Sequence, residues 1–228
     1  MNKSEVIIFG TGKIAQLLHA TLADDTQTPL KVAGFCLDSD YFETDNFSGL
    51  PVVRFDDAPK VFPPHKYKML VALGYHQMNA VRAARCSAAA ALGYELPGYI
   101  HPDASVSKAA RIGQNCLIMD KVSVAPFAVI GDNVSLYPNS TVAHHAQVGD
   151  NVWVTSGTVV GGNSKIGNNC FLGLNCTIGH NVEIGERNFI GAGAVVTKCT
   201  SDNEVHVLAD TPKHRLNTDQ FLKLFKFD

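Results

Sequence analysis

From Ile100 to Val196 every sixth residue is aliphatic, in one register without an insertion: Ile100, Val106, Ile112, Ile118, Val124 and so on through seventeen positions. The residue four places further along each hexad is nearly always small, as in Ala104, Ala110, Cys116, Ala128, Ala146 and Ala194. A helical period of 3.6 cannot generate a strict period of six with two alternating sizes. A longer period overlies it. IGQN at Ile112, IGDN at Ile130, VGDN at Val148, IGNN at Ile166 and IGER at Ile184 recur every eighteen residues.

This pattern resembles the hexapeptide-repeat family, in which three hexads close one triangular coil of a left-handed parallel β-helix. The resemblance implies that residues eighteen apart stack. The aliphatic column then fills the prism, and the small residue sits where the coil is narrow. Gly113, Gly131, Gly149, Gly167 and Gly185 are expected in one corner column, where glycine tolerates positive φ. Parallel ladders between coils satisfy the backbone.

Before residue 99 the period changes. Residues 6–9 read as a buried strand, followed by Gly10-Thr11-Gly12-Lys13-Ile14-Ala15 and a helical stretch to about residue 22. Residues 31–37 and 68–73 read as further strands, and the Ala-rich residues 77–92 as a helix. Strands alternating with helices predict a small parallel, Rossmann-like α/β domain. The expected organisation is an α/β domain over residues 1–98, a β-helix over 99–201, and a tail over 202–228. In the tail, residues 204–208 look extended. Thr218 is the expected N-cap of a short helix reaching Phe225, whose Phe221, Leu222, Leu224 and Phe225 would dock on a coil or a neighbouring subunit.

Composition narrows the function classes. Of 228 residues 46% are hydrophobic and 18% charged, with a net charge of −2, so a large core can be buried and no basic surplus attracts nucleic acid or an anionic membrane. The apolar run at residues 6–9 is far too short for a signal segment or a membrane span, so the expected location is the cytoplasm. The six cysteines form no CxxC and match no zinc spacing; they read as reduced, mostly buried small residues.

Three stretches carry chemistry. The GTGKIA turn after a strand fits GxGxxA, where backbone amides and a helix N-terminus receive phosphate, with Asp38 as the acidic residue at the end of the second strand. It also fits a plain strand-to-helix turn. Fewer than a hundred residues precede the repeat, enough for one mononucleotide-binding half. A nucleotide-sugar therefore suits the space better than a dinucleotide. Second, His144 and His145 occupy the third and fourth places of their hexad, so they point outward or lie near a corner. They read as solvated histidines or as a general base at a subunit groove. His180 falls in the column of His144, two coils away, and reads as structural. Third, Gly161-Gly162-Asn163 and Gly191-Ala192-Gly193-Ala194 leave a shallow surface where a pantetheine arm could lie, or serve only as turn glycines.

The GxG turn, Asp38, the opening Ile100-His101-Pro102-Asp103-Ala104 and the coil histidine together resemble the bacterial sugar acyltransferases of the sialic-acid O-acetyltransferase type. They are especially similar to the N-acetyltransferases of nucleotide-linked 4-amino-4,6-dideoxy sugars, which serve surface-polysaccharide synthesis. The resemblance implies a homotrimer with active sites between adjacent β-helices and acetyl-CoA as cosubstrate. It implies His144, with His145, in the catalytic role, and acetyl-CoA contacts at Trp153, Gly162, Leu174 and Ala192. It places the nucleotide-linked amino sugar at Gly10, Thr11, Gly12, Lys13, Asp38, Gly74 and Tyr75. Two residues depart from the pattern. His145 stands where the family usually has Asp or Glu, and Trp153 where the related N-acetyltransferase has a second His. The rivals are a sugar O-acetyltransferase, a carbonic-anhydrase-like enzyme sharing a metal among His144, His145 and His180, and a non-catalytic scaffold. In the preferred reading no metal is needed.

Overall fold

The computed structural model describes residues 3–224. The N-terminal part is a five-stranded sheet: β1 (Ser4–Phe9), β2 (Leu30–Leu37), β3 (Asn46–Phe47), β4 (Leu50–Arg54) and β5 (Lys68–Val71), in the order β3-β4-β2-β1-β5. All pairs are parallel except the β3–β4 hairpin. Helix α1 (Lys13–Asp24) buries Ala15, Leu18 and Leu22 on one face of the sheet. Helices α2 (Ala58–Val61) and α3 (Ala80–Ala91) cover the other, α3 through Cys86 and Ala89. The hairpin was not expected. Its signal is Ser48-Gly49, both at positive φ, between two short apolar segments. The third expected strand is the fifth of the sheet.

From Tyr99 the chain winds into the β-helix. Each hexad contributes a two-residue strand, and the strands stack eighteen residues apart on three faces. The first face runs through Ser123–Val124, Thr141–Val142 and Val159–Val160. The second runs through Val129–Ile130, Gln147–Val148 and Lys165–Ile166. The third runs through Ser135–Leu136, Trp153–Val154 and Phe171–Leu172. The aliphatic column from Ile118 onward is buried and forms the prism core with the small fifth-position residues. Ile100, in the open first coil, is 45% exposed.

The glycine column needs a different explanation from the expected one. Gly113, Gly131, Gly149, Gly167 and Gly185 do not have positive φ. A Cβ on Gly113 would lie 2.6 Å from the carbonyl carbon of Gly131, and one on Gly167 would lie 2.6 Å from the Glu186 nitrogen. Glycine is needed because the next coil passes too close for a side chain. The left-handed residue is the fourth of the hexad, most often Asn: Asn133, Asn139, Asn151, Asn163 and Asn169 all have φ near 60°. Asn tolerates this region better than most residues.

The repeat also extends past its expected end. Val205–His206 pairs with Phe189–Ile190 on the third face, sixteen residues on instead of eighteen. The tail helix α4 (Thr218–Leu222) is capped by Asn217, not Thr218, in a capping box with Gln220. Leu222 and Leu224 are exposed, and the Phe221 ring lies 5.1 Å from that of His214. Phe225 lies outside the described residues.

Candidate active site

His144 and His145 are the two turn residues at the corner between the first and second faces, after Thr141–Val142. Both are exposed. His145 takes the left-handed position, φ 59°, where most corners carry Asn. The corner is tied to its neighbours by backbone hydrogen bonds: His145 N–H donates to Pro126 O (3.3 Å), and Asn163 N–H to His144 O (3.1 Å). The His145 ring lies 4.9 Å from that of Phe127, tilted by 34°. The two imidazoles meet through Nδ1···Nδ1 at 3.2 Å. One of these nitrogens must carry the proton. If it is His144, its Nε2 holds a free lone pair.

Gly162 lies beside this ring, one coil on. A Cβ there would come within 2.9 Å of His144 Cε1 and 3.0 Å of Nε2. The missing side chain therefore leaves open the space that Nε2 faces. His180, two coils from His144 on the same corner, is also exposed. Among the described residues no group of three or more His, Cys, Asp or Glu side chains converges as a metal site.

Leu174 and Ala192 are exposed, but on another edge of the prism, between the third and first faces. One protomer does not bring them to His144. Trp153 is on neither edge. It is 3% exposed on the third face, 5.0 Å from the Tyr137 ring and 5.7 Å from Tyr75, with the Arg82 guanidinium 5.3 Å from its centroid. In this protomer it offers no surface to a thioester; it packs the junction between the two domains.

At the C-terminal ends of β1, β2 and β5 the remaining expected residues do gather. Gly10 has φ 111°, and a Cβ there would press on Ala72 O at 3.1 Å. Gly12 is the N-cap of α1 and has open space where a Cβ would be. No side chain caps α1, and its first turn has no acidic residue, so its amides and the exposed Lys13 face outward uncompensated. Thr11 lies between the two glycines. Asp38, just after β2, forms an ion pair with Arg85 of α3 at 3.0 Å.

Gly74 and Tyr75 begin the loop after β5. Tyr75 packs on Phe171 (4.6 Å between ring centroids), yet is 50% exposed. The loop ends in three consecutive left-handed residues, Gln77, Met78 and Asn79. The buried Asn79 donates its amide to Cys170 O (3.1 Å). Arg82, 1% exposed, donates to Asn79 Oδ1 (2.9 Å), Asn133 Oδ1 (2.9 Å), Asn133 O and Asn151 O (3.2 Å). Asn115, Asn133 and Asn151 continue the chain of bonds along that corner. Burial lowers the Arg82 pKa to about 10, which leaves it charged at neutral pH. Asn79, Arg82 and Arg85 were not expected from the sequence. Their one signal is that two arginines interrupt an otherwise Ala-rich helix.

Five cysteines are buried and Cys199 is exposed. Burial raises the thiol of Cys86 to about 12 and those of Cys116 and Cys170 to about 11, which disfavours the nucleophilic thiolate. No helix among the described residues is long and apolar enough to cross a membrane.

A family model described as the GMPPB C-terminal domain matches residues 98–198, the β-helix alone. No curated protein sequence matches the chain. Solved structures match both domains. The acetyltransferase domain of PglB from Neisseria gonorrhoeae, in complex with acetyl coenzyme A, is 27% identical, with 89% of this chain and 95% of that one covered and a TM-score of 0.78. PerB from Caulobacter crescentus, in complex with CoA and GDP-perosamine, is 26% identical, with 88% and 92% covered and the same TM-score. The same Caulobacter protein, described as a perosamine N-acetyltransferase, is also known with one histidine replaced by asparagine. The shared architecture, from the N-terminal sheet through the coils, is similar to that of these hexapeptide-repeat sugar N-acetyltransferases.

Proposed function

We propose that the protein transfers the acetyl group of acetyl-CoA to the amino group of a nucleotide-linked 4-amino-4,6-dideoxy sugar. The observation that carries this reading is the likeness, across both domains, to enzymes held with acetyl-CoA and with CoA plus GDP-perosamine. The nucleotide-sugar lies at Gly10, Thr11, Gly12, Lys13, Asp38, Gly74 and Tyr75. The working unit is a homotrimer. Leu174 and Ala192 sit on a different edge from His144 and Gly162, so a site using all four takes them from two subunits.

The sugar amine attacks the thioester carbonyl, forming the C–N bond. His144 Nε2 accepts the amine proton as the tetrahedral intermediate forms. The C–S bond then breaks, and the proton passes from the imidazolium to the departing CoA thiolate. His145 accepts a hydrogen bond from His144 Nδ1–H and so keeps the lone pair on Nε2. It brings no negative charge. An amine, attacking as its free base, needs less base assistance than a hydroxyl, and this favours N- over O-transfer.

The test is thiol release from acetyl-CoA with UDP-, dTDP- and GDP-linked 4-amino sugars and their 4-hydroxy counterparts. One 4-amino sugar is expected to turn over, and His144→Ala to lower its turnover by roughly two to four powers of ten. Turnover of a 4-hydroxy sugar instead makes the enzyme an O-acetyltransferase. Near-normal turnover in the variant removes His144 from the role.

A further inference from the structure

Helix α3 carries only two long polar side chains, Arg82 and Arg85, three residues apart and so adjacent on its surface. Arg82 is consumed by the coil corner. Arg85 is not. Its guanidinium lies 5.9 Å from the centroid of Phe9, the residue immediately before the glycine turn, and 3.0 Å from Asp38 Oδ2. Its side chain is 35% exposed and that of Asp38 25%. Beyond this ion pair it makes no hydrogen bond among the described residues, although a guanidinium offers five donors in a planar fork. At the same end of β1 are the open space over Gly12, the uncapped amides of α1 and Lys13, with no acidic residue in that turn.

The ion pair spans the C-terminal end of β1, because Asp38 follows β2 and α3 follows β5, the two neighbours of β1 in the sheet. An anion seated on residues 10–12 would lie beside it. Such an anion supplies the acceptors that the rest of the fork lacks. Asp38 meanwhile prevents the arginine from swinging into solvent, which reduces the side-chain entropy lost on binding.

We infer that Arg85 is a substrate-binding residue that donates to the pyrophosphate of the nucleotide-sugar, with Asp38 holding it in place. The inference rests on the proposed function in taking the glycine turn as the nucleotide site. It adds a side-chain cation that neither the glycine motif nor the coil repeat indicates.

The experiment is a binding titration of the full-length protein with UDP, GDP, dTDP and the three parent nucleosides, without acetyl-CoA. The diphosphate that binds the wild type should bind Arg85→Ala roughly tenfold to a hundredfold more weakly, with Arg85→Lys between the two. Affinity for its nucleoside should change far less. Asp38→Asn should keep most of the preference for diphosphate over nucleoside, and adding Arg85→Ala to it should remove that preference. Equal losses for nucleoside and diphosphate in Arg85→Ala would reduce Arg85 to a support for the sheet, and unchanged diphosphate affinity would place it outside the site. If none of the six binds the wild type, the nucleotide reading of the domain falls together with the inference. If the wild type binds and the variant matches it, only the inference falls.

Discussion

The two domains both rest on parallel strand pairing, and they reach it by opposite routes. In the β-helix each strand is two residues long and, the last strand apart, its partner is eighteen residues away on either side. Ser123 pairs with Ser105 and Thr141, and Thr141 with Val159. In the N-terminal domain strands run from two to eight residues and partners follow no interval: Val6 lies against Val32 on one side and Lys68 on the other. A fold whose contacts recur at a fixed separation prints them in the sequence as a period. A fold whose contacts depend on crossovers of unequal length does not.

The largest expected effect breaks the comparison at the junction between the two domains. Arg82 joins α3 to Asn133 and Asn151 of one coil corner, where Asn115 bonds Asn133 in turn, and lies by the Trp153 ring. Arg82→Ala removes charge-assisted hydrogen bonds and leaves Asn79 and Asn133 with unmatched buried acceptors. The cost is roughly 3–5 kcal/mol, read from urea unfolding followed by far-UV circular dichroism. The N-terminal domain should unfold first, because its strands lack the coil-on-coil stacking that supports the β-helix. A single transition at the wild-type midpoint would mean that the corner does not hold the domains together.

That junction is also where the sequence was hardest to read. The aliphatic column, the three faces and the outward placement of His144 and His145 were all legible, because each follows from position within the hexad. The residues at the ends of β1 and β2 were legible as a motif, whereas Gly74 and Tyr75 after β5 came only with the family resemblance. The hairpin of β3 and β4 had only a Ser-Gly turn and two very short strands to announce it. Asn79, Arg82 and Arg85 had no signal tied to a partner, since the groups they bind are 51 to 91 residues away in the case of Arg82 with Asn133 and Asn79 with Cys170. The place of Trp153 in the junction was hidden for the same reason. Its hexad place points outward, and only the domain packed over the third face buries it.

The glycines sharpen the comparison at intermediate size. In the β-helix a Cβ on Gly167 would meet the backbone of the next coil at 2.6–2.8 Å, through Glu186 and Gly185. Backbone cannot yield as a flexible side chain can, so Gly167→Ala should cost about 1–3 kcal/mol, the range for overpacking. In the N-terminal domain Gly12 meets nothing within 4 Å and has an ordinary φ of −80°. Gly12→Ala should cost only about 0.5–1 kcal/mol, the disadvantage of alanine against glycine at an N-cap, while weakening nucleotide binding. Paired thermal melts of the two variants check this. Equal shifts would show that glycine serves both domains only through chain flexibility.

The smallest expected effect concerns the second face. Lys165 and Glu183, eighteen residues apart in adjacent coils, form an ion pair at 2.6 Å, with side chains 56% and 61% exposed. The hydrogen bond to Glu183 raises the Lys165 pKa, followed by the carboxylate's charge. Because this is a cation whose folded pKa is raised, any stabilisation is complete below its ordinary pKa and fades only as pH climbs past the raised value, far above neutrality. Water screens both groups at this exposure, so Glu183→Gln should leave the melting temperature unchanged at physiological salt. The same pair flanks a trough of about 510 Å3 along the face, lined by Gln147, Gly149 and Gly167. If an assembled form covered that trough, the ion pair would be desolvated and its loss would register. A clear, salt-insensitive drop in the variant would therefore place the second face inside a subunit contact, and no change would keep it on the solvent side.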